Sequence, residues 1–368
     1  MRCTLIIHSL SSGGAERVMS RMANYWAERG WEITLLIFMD GKETPFYQLN
    51  PRIDYRPLDI ATVSTNPAAG IWNNLASCRS LRTAIVESKP DVVISFMERV
   101  NVITILATRS LNIPVLVSVR NDPAMLSPGK MWEVLRRWTY PFADRVVVQT
   151  QRAGNYFGAK LKNRIVVMPN PVILPPTEPS GEVATLHGDR SSIAVGRLVP
   201  QKGFDLLLQA FAQLKDTHPG WTLTILGEGE LRPQLESLRE RLGLKDRVYL
   251  PGRVTNPHEF LSQADIFIMS SRFEGFPNAL CEAMVCGLPV ISTDCPNGPR
   301  EIIRDGVDGI LVPSEDVSAL AAAMDRLMSE PETRKSLAAA APEVAERFSL
   351  EKVMLMWELL IKAVIEEK

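Results

Sequence analysis

Short apolar runs rich in β-branched residues recur along the chain, and between them apolar positions fall at helical spacing. This alternation predicts repeated βαβ units around parallel sheets, whose strands are buried on both faces and so read as continuously apolar. Two series are expected. In the first, strands fall near 3–9, 32–38, 91–95, 115–119, 145–149 and 164–168, with a helix over 15–29 that Gly30 ends. Pro169-Asn170-Pro171 stops this series, and the stretch through Pro175, Pro176, Pro179 and Gly181 has the composition of a linker. The second series places strands near 192–195, 222–226, 248–250, 265–269, 290–293 and 309–312, followed by helices over 317–328 and 350–365. The expected fold class is α/β, with two doubly wound Rossmann-like domains, 1–170 and 182–348, and 349–368 as a final helix packing back on the first.

Composition agrees with two cores: 46% of the 368 residues are hydrophobic and 23% charged. Cys3, Cys78, Cys281, Cys286 and Cys295 are odd in number and lack metal-ligand spacing, and two of them share one expected helix, which fits a reducing cytoplasm. The apolar run over 3–10 is too short for the core of a signal peptide, and no apolar stretch approaches the ~20 residues of a spanning helix. The expected place is therefore the cytoplasm, free or peripheral on the inner face of the cell membrane.

Charge adds to this. Residues 1–168 hold 21 Lys+Arg against 13 Asp+Glu and the remainder 20 against 29, so a net charge of −1 conceals a half at +8 and a half at −9. A basic first half suits an anionic membrane surface or the phosphates of a lipid carrier, at about 1 kcal/mol per nearby cation. The plainer reading is that the two halves attract each other. The stretch 129–142 carries Trp132, Trp138, Tyr140 and three cations, a composition that settles at headgroup level. Trp132, Leu135 and Trp138 fit equally well as a stripe packed on the domain's own sheet.

Candidate chemistry lies at the expected carboxyl ends of strands, where doubly wound domains bind ligands. Glu274 and Glu282 bracket Gly275-Phe276-Pro277-Asn278-Ala279-Leu280-Cys281; the first acid precedes a helix expected from Pro277 to Cys286, and the second lies in its second turn. An anion between them meets unpaired N–H groups and the positive end of the helix dipole. Upstream, Gly196-Arg197-Leu198-Val199-Pro200-Gln201-Lys202-Gly203 supplies a fork donor and a point charge on one turn. Gly13-Gly14 after the first strand lets backbone approach a ligand closely, or forms an ordinary tight turn. The set points to a sugar joined to a diphosphate. No G-x-G-x-x-G follows a strand as a dinucleotide cofactor would require, and no Asp-x-Asp or His/Cys cluster has metal-ligand spacing, so neither cofactor nor metal is expected.

The E-x7-E spacing, the G-R-L-x3-K-G turn and the Gly13-Gly14-Ala15-Glu16-Arg17 loop resemble the retaining family 4 glycosyltransferases of the GT-B fold, especially bacterial enzymes that build polysaccharides on lipid carriers. The likeness spans nearly the whole chain. It implies two domains facing across a cleft, and it implies roles. Glu282 matches the acid on the ribose hydroxyls and Glu274 the acid near the hexose hydroxyls, while Arg197 and Lys202 match the pair that neutralises the diphosphate as the glycosidic bond breaks; Glu274, Arg197 and Lys202 are thereby the catalytic candidates. Gly196 and the backbone from Gly275 through Phe276, Pro277, Asn278, Ala279 and Leu280 line phosphate and hexose, Arg253 and Val254 after Gly252 read the base, and Gly13 and Gly14 lie against diphosphate and acceptor.

One departure stands out. Many relatives carry a histidine after the strand near 115–119, where this chain reads Ser118-Val119-Arg120-Asn121-Asp122-Pro123, and His8, His187, His218 and His258 lie elsewhere. Arg120 cannot act as a general base and is expected to hold a phosphate or a sugar. Same-face substitution, with the leaving diphosphate taking the acceptor's proton, needs no protein base. The expected activity is metal-independent transfer of a hexose or N-acetylhexosamine from a nucleoside-diphosphate sugar, a UDP-sugar before others, to a polyprenyl-diphosphate-linked saccharide or similar glycan. The partners are that donor, that acceptor and an anionic membrane surface, with no nucleic acid. A UDP-sugar epimerase on the same fold and a non-catalytic sugar-nucleotide binder are the alternatives.

Overall fold

The computed structural model describes residues 1–61, 67–174 and 186–368, with side chains in the second helix described from Trp72 onward. The linker expected at Pro175, Pro176, Pro179 and Gly181 lies outside the described residues. The chain divides into two compact units, Met1–Asn170 with Val353–Lys368, and Pro171–Lys352.

The first unit is a parallel seven-stranded sheet, ordered β3-β2-β1-β4-β5-β6-β7. Its strands are β1 (Arg2–Ile7), β2 (Glu32–Ile37), β3 (Asp54–Pro57), β4 (Val92–Phe96), β5 (Val115–Ser118), β6 (Arg145–Val148) and β7 (Ile165–Val167). Helices α1 (Gly14–Glu28), α2 (Pro67–Ser88), α3 (Glu98–Thr108), α4 (Lys130–Thr139) and α5 (Gln151–Asn155) connect them. β1, β4 and β5 are buried almost throughout, which is why their runs are purely apolar. β3 is the strand the pattern does not announce. Among the described residues it pairs only with β2, and as an edge strand it carries Asp54, Arg56 and a terminal Pro57 without cost to a central ladder.

In α4 the structure separates what the sequence stripe joined. Trp132 and Leu135 pack on the core of this unit, whereas Trp138 is 74% exposed. Six residues span about one and two-thirds turns, so Trp138 cannot share a face with Trp132.

The second unit is a parallel six-stranded sheet, ordered β10-β9-β8-β11-β12-β13. Its strands are β8 (Arg190–Val195), β9 (Trp221–Leu226), β10 (Val248–Gly252), β11 (Ile266–Met269), β12 (Val290–Thr293) and β13 (Ile310–Val312). The helices are α6 (Phe204–Gln213), α7 (Arg232–Arg241), α8 (Pro257–Leu261), α9 (Asn278–Val285), α10 (Pro299–Ile302), α11 (Val317–Ser329), α12 (Pro331–Ala340) and α13 (Glu343–Arg347). One apolar layer joins α6, α7 and α11 to the sheet, and a second joins α9 and α13.

The final helix, α14 (Leu350–Glu366), carries the chain back into the first unit at Val353. Val353, Met354, Trp357, Ile361 and Val364 form its buried stripe. Trp357 lies 6.4 Å from the ring of Phe96, and Lys368 Nζ donates to the carbonyl of Ile113 at 2.6 Å.

Candidate functional site

The strand order of the second unit reverses between β8 and β11, the point at which doubly wound sheets bind ligands beyond the carboxyl ends of their strands. The loops 196–203 and 270–277 leave these two strands there. Here the structure joins Lys202 to Glu274: Nζ donates to Oε1 at 2.6 Å, with the side chains only 18% and 6% exposed. Ser271 Oγ donates to the same oxygen at 2.6 Å. Both bonds fall on Oε1, and among the described residues Oε2 takes none.

The local sequence dictates how the lysine is presented. Pro200 starts a single 3-10 turn that ends at Lys202, and Gly203 follows in the left-handed region at φ 62°. A Cβ at Gly203 would lie 2.1 Å from the carbonyl oxygen of Ser270, so only glycine lets the two loops touch. Ser270 Oγ donates to the carbonyl of Lys202 at 3.0 Å. Arg272 secures the same turn, forking onto Asp205 at 2.9 and 2.8 Å and reaching the carbonyl of Pro200 at 2.8 Å. Burial works against the Asp205 carboxylate, but the bonds and charge of Arg272 outweigh it and hold the group below the usual carboxylate range. Sequence reasoning missed Arg272 and Asp205. Their signal was position alone, two residues before Glu274 and three after Lys202.

Glycines also bring the loop after β9 against the loop after β8. At Gly227, φ 144°, a Cβ would sit 1.9 Å from the carbonyl oxygen of Gly196, and at Gly229 one would sit 2.4 Å from that of Leu198. At Gly196 a Cβ would crowd the Lys202 stem at 3.2 Å. Arg197, beside it, is exposed and makes no side-chain bond among the described residues. Arg253 is exposed, and Val254 packs partly on the core. Glu228 lies near Arg253, but its carboxyl is held down chiefly by its bonds to Arg232.

Helix α9 begins at Asn278, one residue beyond the expected Pro277, which is its N-cap. Gly275 and Pro277 are covered by Gly298, where a Cβ would lie 2.5 Å from Pro277 Cδ and 3.2 Å from the carbonyl oxygen of Gly275. Phe276 packs edge-on against Phe348, and Leu280 is core, so these two offer backbone rather than side chain. Asn278 and Ala279 are half-buried in the first turn. Glu282 is 7% exposed in the second. Burial, with the charge of Glu282, pushes the Cys286 thiol up to about 11.

In the first unit, Gly13 caps α1, and its carbonyl accepts from the Arg17 amide at 3.0 Å; Gly14, exposed, is the helix's first residue. Arg120 is 6% exposed with its guanidinium 4.0 Å over the ring of Phe96, and Nη1 donates to Ser118 Oγ at 3.4 Å. Nε and Nη2, which share one edge of the guanidinium, have no partner among the described residues. Burial pushes this group down to about 9. Asp122 uses Oδ1 to accept from the Ala124 amide at 2.8 Å and does not pair with Arg120. His8 is held below its usual value by burial and then by the charge of Arg99.

A family model described as glycosyl transferases group 1 matches residues 181–344, and a glycosyl transferase 4-like domain matches 13–171. The chain is 30% identical to a GalNAc-α-(1→4)-GalNAc-α-(1→3)-diNAcBac-PP-undecaprenol α-1,4-N-acetyl-D-galactosaminyltransferase of Campylobacter jejuni, over 99% of both chains. Among solved structures, sucrose-phosphate synthase from Thermosynechococcus elongatus superimposes with a TM-score of 0.84 at 18% identity, covering 100% of both chains. Anabaena HepE in complex with UDP and glucose does so with a TM-score of 0.81 at 20% identity, over 98% of this chain and 99% of that one. The chain belongs to the group 1, 4-like glycosyltransferases and has their GT-B fold of two parallel-sheet α/β domains.

Proposed function

We propose that this enzyme transfers a hexose or N-acetylhexosamine from a UDP-sugar to a saccharide on a polyprenyl-diphosphate carrier at an anionic membrane surface, with retention at the anomeric carbon. The observation that carries the reading is the Lys202–Glu274 contact at the strand-order reversal of the second unit. Lys202 keeps two further N–H donors for the diphosphate, and Arg197 is a second cation with no competing partner among the described residues. Together they offset the charge that grows on the leaving phosphate, work otherwise given to a metal ion, so turnover is expected without one. Glu274 Oε2 and Glu282 accept from sugar hydroxyls, the first on the hexose and the second on the ribose. The amides at the start of α9 add donors. Two arguments favour UDP and a lipid-linked acceptor. HepE was crystallised with UDP, and the relative from Campylobacter jejuni acts, by its name, on an undecaprenyl-diphosphate-linked saccharide.

In the first unit, the buried, unpartnered Nε–Nη2 edge of Arg120 has the spacing of two phosphate oxygens and suits an anionic second substrate. An epimerase would have no use for such a group.

The test is a thermal-shift panel of UDP, GDP, ADP and dTDP, with and without EDTA, on wild type and on Arg197→Ala. A shift given by UDP that survives EDTA and shrinks in the variant is expected; no shift with any nucleotide would overturn the reading. Product analysis with donor alone must show no epimer.

A further inference from the structure

Helix α4 leaves a face uncovered. Met131, Val134 and Trp138, at i, i+3 and i+7, lie on one line of the helix and are 54%, 54% and 74% exposed. Phe142, in the turn that follows, continues the line at 49% exposure, its ring under the guanidinium of Arg109 at 3.5 Å. Lys130 and Arg137, also seven residues apart, flank the line on one side; both are exposed and neither has an ion-pair partner among the described residues. The helix's single acid is occupied, since Glu133 accepts from Ser127 Oγ at 2.5 Å. Arg136 turns inward to Tyr156 Oη at 2.8 Å, so the helix is anchored from its other side.

An apolar line ending in tryptophan, edged by free cations, is the pattern of a helix lying in the headgroup plane. We infer that α4 is the membrane-docking face of this enzyme and that its partner is a bilayer containing anionic lipid. Charge decides against a second copy of the chain: the half bearing α4 stands at +8, so two such faces repel each other, whereas anionic headgroups attract both. Trp138 then sits at the acyl boundary, with Lys130 and Arg137 on the phosphates. Docking here would hold the enzyme where a lipid-linked acceptor resides. The inference draws its purpose from the proposed function, but vesicle binding needs neither donor nor acceptor, so either can fail without the other.

The test is co-sedimentation of the full-length protein with vesicles of phosphatidylcholine alone, or of phosphatidylcholine mixed with phosphatidylglycerol. We expect binding to the mixed vesicles only, weakening as salt is raised. The double variant Met131→Ser, Trp138→Ser should bind at least about tenfold more weakly, and Lys130→Gln with Arg137→Gln should lose most of the preference for anionic lipid. Both variants should keep the UDP-induced shift and a melting temperature close to that of wild type, because these side chains are exposed and stand outside the unit's apolar cluster. Equal binding by the serine variant, or no binding by the wild type, would overturn the inference. So would a wild-type dimer that these serines dissociate while vesicle binding stays unchanged.

Discussion

Lys202 and Glu274 are each recognisable in the sequence, but their union is not, because the contact spans 72 residues and depends on glycines that let two loops touch. From spacing alone, Lys202 reads as a free partner of Arg197. In the fold its charge is shared with the buried carboxylate of Glu274, and of the two cations Arg197 is the one with no side-chain partner among the described residues. Removing one member of such a pair leaves a buried charge, so Lys202→Ala should cost about 3 kcal/mol of stability. Glu274→Gln, which keeps the bond from Ser271, should cost about 1 kcal/mol. The double variant should be more stable than the sum of the single losses by about 1–3 kcal/mol, read from urea unfolding. Strict additivity would mean that the two side chains act independently. Arg120 follows the same rule from the other direction: its place in the chain was legible, but its burial over Phe96, with one edge unpartnered among the described residues, is set by packing across β4 and β5.

At the scale of elements, the strands were legible wherever burial on both faces made them apolar, and β3 escaped because an edge strand needs no such run. Capping and turn glycines fixed the ends of α1 and α9 to within a residue or two. What the sequence could not supply was the brace between elements. Arg272, leaving β11, grips Asp205 in the first turn of α6 and so fixes the turn that presents Lys202. The Asp205 carboxyl has a lower pKa folded than unfolded, so its contribution is fully present above the unfolded value of about 4 and fades as pH falls through the folded one. Because the pair is partly exposed to solvent, Asp205→Asn should cost only about 1 kcal/mol near neutral pH, with the difference vanishing toward strong acid. Denaturant titrations at several pH values would show this convergence. A penalty constant with pH would assign the loss to packing instead.

At the scale of the molecule, each unit is a sheet whose strand order reverses beside its first strand, and each carries candidate site residues in the loops that follow its strands. The second unit holds the Lys202–Glu274 pair there; the first holds Gly13 and, further along the sheet, Arg120. The chain's last segment, 353–368, belongs to the first unit although it follows the second in sequence. Trp357, 1% exposed, faces the ring of Phe96, and Phe96 also carries the guanidinium of Arg120. The C-terminal helix thus supports the group proposed to hold the acceptor's phosphate, while the proposed donor site lies wholly within the other unit. Trp357→Ala should destabilise the protein by about 3–5 kcal/mol. In the fraction that remains folded, it should raise the KM for a lipid-linked acceptor several-fold through the loosened Arg120. The UDP dissociation constant, measured by calorimetry, should not change. If UDP binding weakened as much as acceptor use, the division of substrates between the two units would be wrong. If neither changed, Arg120 would not hold the acceptor.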